Sequence, residues 1–184
     1  MLEFIRNKLK TWCRLMHIKK AQIKDLNSIM RIYSIAQDEM IKSRNPTQWG
    51  HNYPSEELIK EDIKNKVCHV ICEGNTIHGV FALLSGCEPT YTIITNGNWL
   101  NDDEYLTIHR IASDAEVKGI FKCVINYCKS LSSNIRIDTH ENNKIMQHLI
   151  EKNGFVKCGK IFVRDGSPRI AYQWSQKIDD EYDS

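Results

Sequence analysis

The run NKIMQHLIEKNGF, Asn143 to Phe155, organises the chain around it. Asn is a residue type whose side chain accepts from the free N–H groups at a helix start. Met146, Leu149 and Ile150 follow at helical spacing, and Asn153-Gly154 is a left-handed stop signal. The spacing predicts a helix from Asn143 that ends there. Phe155–Val163 and Arg169–Trp174 then read as strands, joined by the turn Asp165-Gly166-Ser167-Pro168.

Upstream, Ile135–Thr139 reads as a strand, and the segment from about Val117 to Leu131 as a helix. Its apolar residues Ile120, Val124, Tyr127, Cys128 and Leu131 recur at three or four. Tyr105–Ala112 is a further strand. A strand, helix and strand in succession imply a parallel pair. A parallel pair followed by a helix N-terminus makes an anion-binding crevice. Nearer the N-terminus, His17–Ile23 alternates as a short strand. One helix runs from Asp25 past Met40, and a second is capped by Ser55 with Glu56 and Glu57 in its first turn. Val67–Cys72 and Ile77–Leu84 flank Glu73-Gly74-Asn75-Thr76 as a β-hairpin. The fold class is α/β with a mixed sheet, antiparallel in its first half and with at least one parallel pair later. The 19 residues from Gly86 to Glu104 fit no regular element, and loops of that length are commonly functional.

Composition narrows the function classes. At 184 residues, 41% hydrophobic and 26% charged, the chain suits one soluble domain and excludes wholesale disorder. The net charge of +2 is unevenly spread. Residues 1–20 set six basic residues against Glu3, and the acidic tail 177–184 sets Lys177 against four acids. The body between them is balanced, which argues against a dedicated nucleic-acid binder. Residues 1–16 read as an amphipathic basic helix with Leu2, Ile5, Leu9, Trp12 and Met16 on one side. We expect it to pack on its own domain or on a second subunit as a homodimer, with an anionic surface as the other reading. The seven cysteines form no CxxC pair and stand mostly among apolar neighbours, so no metal is expected and the compartment is reducing. No run of ~20 apolar residues is present, and the N-terminus lacks a signal-peptide core. We expect a cytoplasmic protein without an integral membrane segment.

Three motifs carry a family resemblance. Asn143 to Gly154-Phe155 matches, without a gap, a helix followed by Gly-Phe. Glu116-Val-Lys-Gly119-Ile-Phe121 stands between strand and helix, where Gln/Arg-x-x-Gly-x-Gly/Ala is the related pattern. The element order over residues 17–175 agrees as well. The chain resembles the GCN5-related N-acetyltransferases (GNAT), and "TIHRIAS", "IRIDTHENNK" and "DGSPRIAY" resemble a bacterial subgroup of unassigned substrate. The resemblance implies a GNAT domain over 17–176: a mostly antiparallel sheet with one splayed parallel pair and helices on both faces. It also implies transfer of an acetyl group from acetyl-CoA, with CoA as product, to a primary amine of a small molecule or peptide. A catalytically impaired CoA-binding regulatory or interaction module is the alternative.

The site residues follow from that resemblance. The backbone of Ile111 and Ala112 would pair with the pantetheine arm. Val117, Lys118, Gly119, Ile120 and Phe121 would cradle the pyrophosphate through helix-start N–H groups. Asn143 resembles the residue that hydrogen-bonds the pantetheine, and is a helix cap on local grounds alone. Phe121 and Glu116 depart from the family pattern, and Ile150 stands where many members place a tyrosine acid. Tyr105 occupies the position of a glutamate that some relatives use as base. His109 and His140 are the nearby groups that titrate near neutrality. An alkylamine with pKa ~10.4 needs such a base to attack. Trp49, Tyr53 and Trp99 stand in aromatic segments short of charge, which suits an acceptor with an apolar body.

Overall fold

Alternating apolar residues and tight turns build the first strands. In the computed structural model, which describes residues 16–177, β1 (Met16–Lys20) pairs antiparallel with β2 (Cys68–Glu73). β2 pairs antiparallel with β3 (Thr76–Ser85), closing the expected hairpin at Glu73↔Thr76. β4 (Leu106–Ser113) runs parallel to β5 (Asn134–Thr139) over three registered pairs, from Leu106↔Ile135 to Ile108↔Ile137. β7 (Pro168–Ser175) pairs antiparallel with β5 on one side and with β6 (Val156–Phe162) on the other. The seven strands make one mixed sheet in the order β1-β2-β3-β4-β5-β7-β6.

The helices are α1 (Leu26–Lys42), α2 (Glu56–Lys64), α3 (Ile120–Leu131) and α4 (Lys144–Lys152). Both expected caps form: Leu58 N donates to Ser55 Oγ at 3.2 Å, and Met146 N to Asn143 Oδ1 at 3.0 Å. Two boundaries differ from the sequence expectation. The first strand ends at Lys20, because Gln22 N donates to the Asp25 carboxylate and tightens Ile23–Asp25 into a 3₁₀ turn. α3 begins at Ile120 and not near Val117. Gly119 takes a positive φ of 88°, and its carbonyl receives the Cys123 N–H at 3.0 Å. The basic helix expected over 1–16 and the tail expected over 177–184 lie outside the described residues. The exceptions are Met16, which opens β1, and Lys177, whose ammonium meets Asp103 at 2.8 Å.

Two compact units divide the chain. The first takes the residues up to Glu39, Trp49–Ala82 and Arg110–Tyr127. Its core gathers Ile29, Ile32 and Tyr33 of α1, Ile59 of α2, and Val70 and Val80 of the hairpin, with Trp49 packed against it. Each such aliphatic side chain contributes ~1.5–3 kcal/mol on full burial. The second unit takes Met40–Gln48, Leu83–His109 and the chain from Cys128 onward. Here the segment Gly86–Glu104 covers one sheet face. Tyr91, Ile161 and Ala171 form its core, with Trp99 and Tyr105 packed against them. Leu100 N donates to Gln173 Oε1, and the Trp99 indole N–H to the Tyr91 carbonyl. Thr95 and Lys160 exchange two backbone bonds of 2.8 Å. Gly97 lies so close to β6 that a Cβ there would overlap the Cys158 carbonyl. Among the described residues, no helix is long and apolar enough to cross a membrane.

Candidate active site

In the first unit the site is a backbone feature. Ala112, near the end of β4, packs in the core, and Asp114 N donates to the His78 carbonyl at 3.1 Å. The side chains of Val117, Ile120 and Phe121 are buried, while Lys118 and Gly119 are exposed. A Cβ placed on Gly119 would meet no heavy atom within 4 Å. The Phe121 ring is buried, and the space beside Gly119 is open. Gly79 on β3 makes room for this helix start: a Cβ there would stand 2.8 Å from Ile120 Cγ2 and 3.3 Å from the Ala112 carbonyl. The N–H groups ahead of Cys123 have no carbonyl within the helix and sit at the positive end of its dipole.

The loop is braced by charge. His78 Nδ1 lies 2.9 Å from Asp114 Oδ2, and Arg31 of α1 lies 3.6 Å from Asp114 and 3.8 Å from Glu116. Glu116 is thus engaged by Arg31 and turned to a structural task. The ligand atoms of His78, Asp114 and Glu116 lie within 4.8 Å of one another, a spacing a cation could bridge, and Arg31 already supplies positive charge there.

The adjoining part of β4 in this unit is held from two sides. Arg110 adopts φ +52°, its carbonyl accepts from Tyr33 Oη at 2.9 Å, and its guanidinium bonds Asp62 at 2.7 and 3.1 Å. Tyr53 Oη accepts a longer bond from Arg110, at 3.4 Å. Tyr53 is 41% exposed, whereas Trp49 packs edge-on against Tyr33 as part of the core boundary.

In the second unit the site is made of side chains. His109 is the first β4 residue past the parallel register with β5. Its Nε2 lies 3.4 Å from Glu88 Oε2, and its Nδ1 lies 3.9 Å from Asp138 Oδ1. All three side chains are largely buried, with 12–18% exposed. Tyr91 donates to Asp138 Oδ1 at 2.7 Å, and its ring lies 5.8 Å from the His109 ring. The hydrogen bond from His109, aided by bonds from Thr90, holds the Glu88 carboxyl down at about 2 against the opposing effect of burial. Burial, together with the Asp138 charge, pushes the Tyr91 phenol well above its usual range.

The other expected residues fall into separate groups. Tyr105 accepts from Glu88 N at 3.2 Å, and its ring lies 3.9 Å from the Arg136 guanidinium, which also stacks 4.0 Å over Trp99. Tyr105 and Trp99 thus support the His109 surroundings. Arg136 meets the two rings and the Asn101 carbonyl, and Asp138 meets Tyr91 and His109. His140 belongs to the turn before α4, where its Nδ1 accepts from Asn142 N. Burial and the Arg169 charge lower its pKa. Asn143 shares that turn. Its Oδ1 caps α4 and its Nδ2 donates to Gln48 Oε1 at 2.9 Å, so both ends of its amide have protein partners.

Glu88, Tyr91 and the His109–Asp138 approach escaped the sequence reading. The usable signal was the parallel pair itself. Continuing the Ile108↔Ile137 register by one step sets His109 beside Asp138. Burial pushes Cys68 and Cys128 up to about 12 and also raises Cys158, so the thiolates of these three are scarce.

A GNAT-family acetyltransferase from Streptococcus agalactiae is 33% identical, with a TM-score of 0.78 over 87% of this chain and 95% of that one. The chain belongs to the GNAT family of acetyltransferases. A GNAT-family acetyltransferase from Bacillus cereus shares the fold at 23% identity, covering 88% of this chain and 97% of its own with a TM-score of 0.56. The Salmonella typhimurium protein yncA, solved with its cofactor acetyl-CoA, does so at 13%, covering 88% and 94% with a TM-score of 0.54. No protein-family model matches the chain, and neither does any curated protein. In this GNAT chain the open helix start and the His109 cluster are two features with chemistry to offer.

Proposed function

We propose that this GNAT chain moves an acetyl group from acetyl-CoA to a primary amine by direct attack, with His109 as the proton acceptor. The observation that carries the reading is His109 between Glu88 and Asp138, at the point where β4 leaves its parallel partner. The residues at the helix start suit CoA: Gly119 is open, Lys118 is exposed and cationic, Glu116 is engaged elsewhere, and Phe121 is buried. The presence of acetyl-CoA in a protein of the same fold supports the choice. Acetyl-CoA supplies the thioester carbonyl that an amine can attack.

His109 takes the proton the amine must lose, and the nitrogen lone pair then forms the amide bond as the carbon–sulfur bond breaks. Glu88 and Asp138 hold the imidazole in place and balance its charge once it is protonated. Ile150 is fully buried and offers no acid. A thiol with pKa ~8.5 leaves as thiolate tolerably near neutral pH, and water returns its proton. The backbone of Ile111 and Ala112 serves the pantetheine arm, and Tyr53 borders the acceptor.

Thiol release measured with acetyl-CoA and a panel of amines tests the proposal, with thermal melting in CoA and acetyl-CoA beside it. Release with at least one amine, strongly reduced in His109→Gln, is expected. Stabilisation by both ligands without release for any amine would leave a CoA-binding module in its place.

A further inference from the structure

We infer that the acceptor is a zwitterion, an amine that also carries a carboxylate or comparable anionic group, and that Arg169 binds that group. The inference rests on the transferase reading above. Arg169 lies on β7 and is only 7% exposed. Its Nη1 donates to Ser167 Oγ at 2.8 Å and to the Pro168 carbonyl at 2.9 Å, and its Nη2 reaches the Gln48 carbonyl at 3.5 Å. All three acceptors are neutral. Asp165 is linked to it through Ser167, whose hydroxyl donates to Asp165 Oδ1 at 2.6 Å; the Ser167 bonds and, more weakly, the Arg169 charge lower the pKa of the exposed Asp165 carboxyl. Among the described residues no carboxylate forms a direct ion pair with Arg169.

A buried guanidinium is expensive unless an anion compensates its lost hydration. It presents five N–H donors in a fixed fork that suits a carboxylate held by two parallel bonds. Two neighbouring groups offer no charge to match it. Burial and Arg169 itself lower the pKa of His140, and the Gln48 side chain is held by Asn45 and Asn143 at 2.7 and 2.9 Å.

The position of Arg169 in the sheet links it to the His109 cluster. Asp138 pairs with Ala171 across β5 and β7, so the two share one sheet face. Arg169 stands two residues from Ala171 on the same strand, and therefore on that face too. His109 joins the same face by its approach to Asp138. One face thus carries an acidic pole, Glu88 and Asp138 around His109, and a cationic pole at Arg169. Asp138 and Arg169 are diagonal neighbours on the two paired strands, about 7–8 Å apart. An ammonium at the first pole and an anion at the second fit a single small molecule with a few bonds between its charges. A basic peptide would meet Arg169 with repulsion.

The experiment compares α-, β- and γ-amino acids, each beside its own primary amide, as acceptors in thiol release. In the wild-type chain kcat/KM for the best amino acid should exceed that of its amide by ~10- to 100-fold, the usual worth of a charge-assisted pair. Arg169→Gln should collapse that ratio toward one, and Arg169→Lys should keep part of it. A wild-type ratio near one overturns the inference. An equal loss for acid and amide in Arg169→Gln does the same, because that is how a purely structural clamp behaves. If Arg169→Gln fails to fold, the wild-type ratio alone decides.

Thermal melting with the N-acetyl amino acids and N-acetyl amino amides separates the inference from the reading beneath it. Stabilisation of the wild type by the acids alone, without thiol release from any amine, upholds the anion site and removes the transferase reading. Release that is indifferent to the carboxylate does the reverse. No stabilisation and no release overturns both.

Discussion

The start of α3 and the surroundings of His109 present chemistry in opposite ways. At the helix start the proposed site uses five consecutive residues, Val117 to Phe121, through their backbone, and the apolar side chains among them are buried. Around His109 three segments each deliver one side chain: Glu88 from the long covering segment, His109 from β4 and Asp138 from β5. A backbone site depends on the path of the chain and tolerates changes of side chain. A side-chain site depends on identity and protonation at each position, so single substitutions strike it hardest.

That contrast orders the expected effects. His109→Gln should lower kcat by ~10²- to 10⁴-fold, the usual range for a lost general base, with little change in KM for acetyl-CoA. Stopped-flow thiol release measures both, and a loss below tenfold would remove His109 from its role. Glu88 gives the next largest effect. Its pKa is held at about 2 when folded, against ~4.3 for an ordinary glutamate, so folding favours its charged form. Its contribution is fully present above the unfolded value and disappears as pH falls from there through about 2. Urea melts across that window should show the wild type losing up to about 3 kcal/mol that Glu88→Gln never had. Parallel pH profiles for the two proteins would mean that the pair with His109 carries no stability.

Gly79→Val probes the backbone site through its support. Overpacking against Ile120 should destabilise the chain by ~1–3 kcal/mol and raise KM for acetyl-CoA, while kcat at saturation falls less. A kcat effect as large as that of His109→Gln would erase the distinction between the two regions. Lys118→Ala is the smallest. An exposed charge is worth up to ~1 kcal/mol, so KM for acetyl-CoA should rise no more than about fivefold, and less at high salt. A larger rise would show the lysine, not the backbone, to be the principal anion contact.

The same contrast decides what could be read in advance. The capped helix after Asn143 and the hairpin around Gly74 are written in contiguous residues whose local preferences agree with the fold, whereas the start of α3 lies three residues past its expected place. His109 could be named as titratable, yet its partners could not. Glu88 lies 21 positions before it in a stretch without periodicity, and Asp138 lies 29 positions after it. Joining them takes a strand register, which hydrophobic alternation leaves undefined where both faces are covered. Arg136 is no different: the rings that hold it, Trp99 and Tyr105, come from outside its strand.

The Gly86–Glu104 segment has a consequence for how this protein can vary. It contains only one short 3₁₀ turn, yet Trp99, Leu100, Asn101 and Thr95 are each bonded to a partner, and Gly97 lies against the Cys158 carbonyl. Such a segment should drift as slowly as interior residues do, and a one-residue insertion between Ile94 and Asn101 should disrupt its docking, though surface loops usually accept one. Change is then tolerated best at its exposed start, Cys87, and worst from Glu88 onward, where backbone and side chains are already bonded. Substitutions at Cys87 should yield more folded variants than substitutions spread along the whole segment.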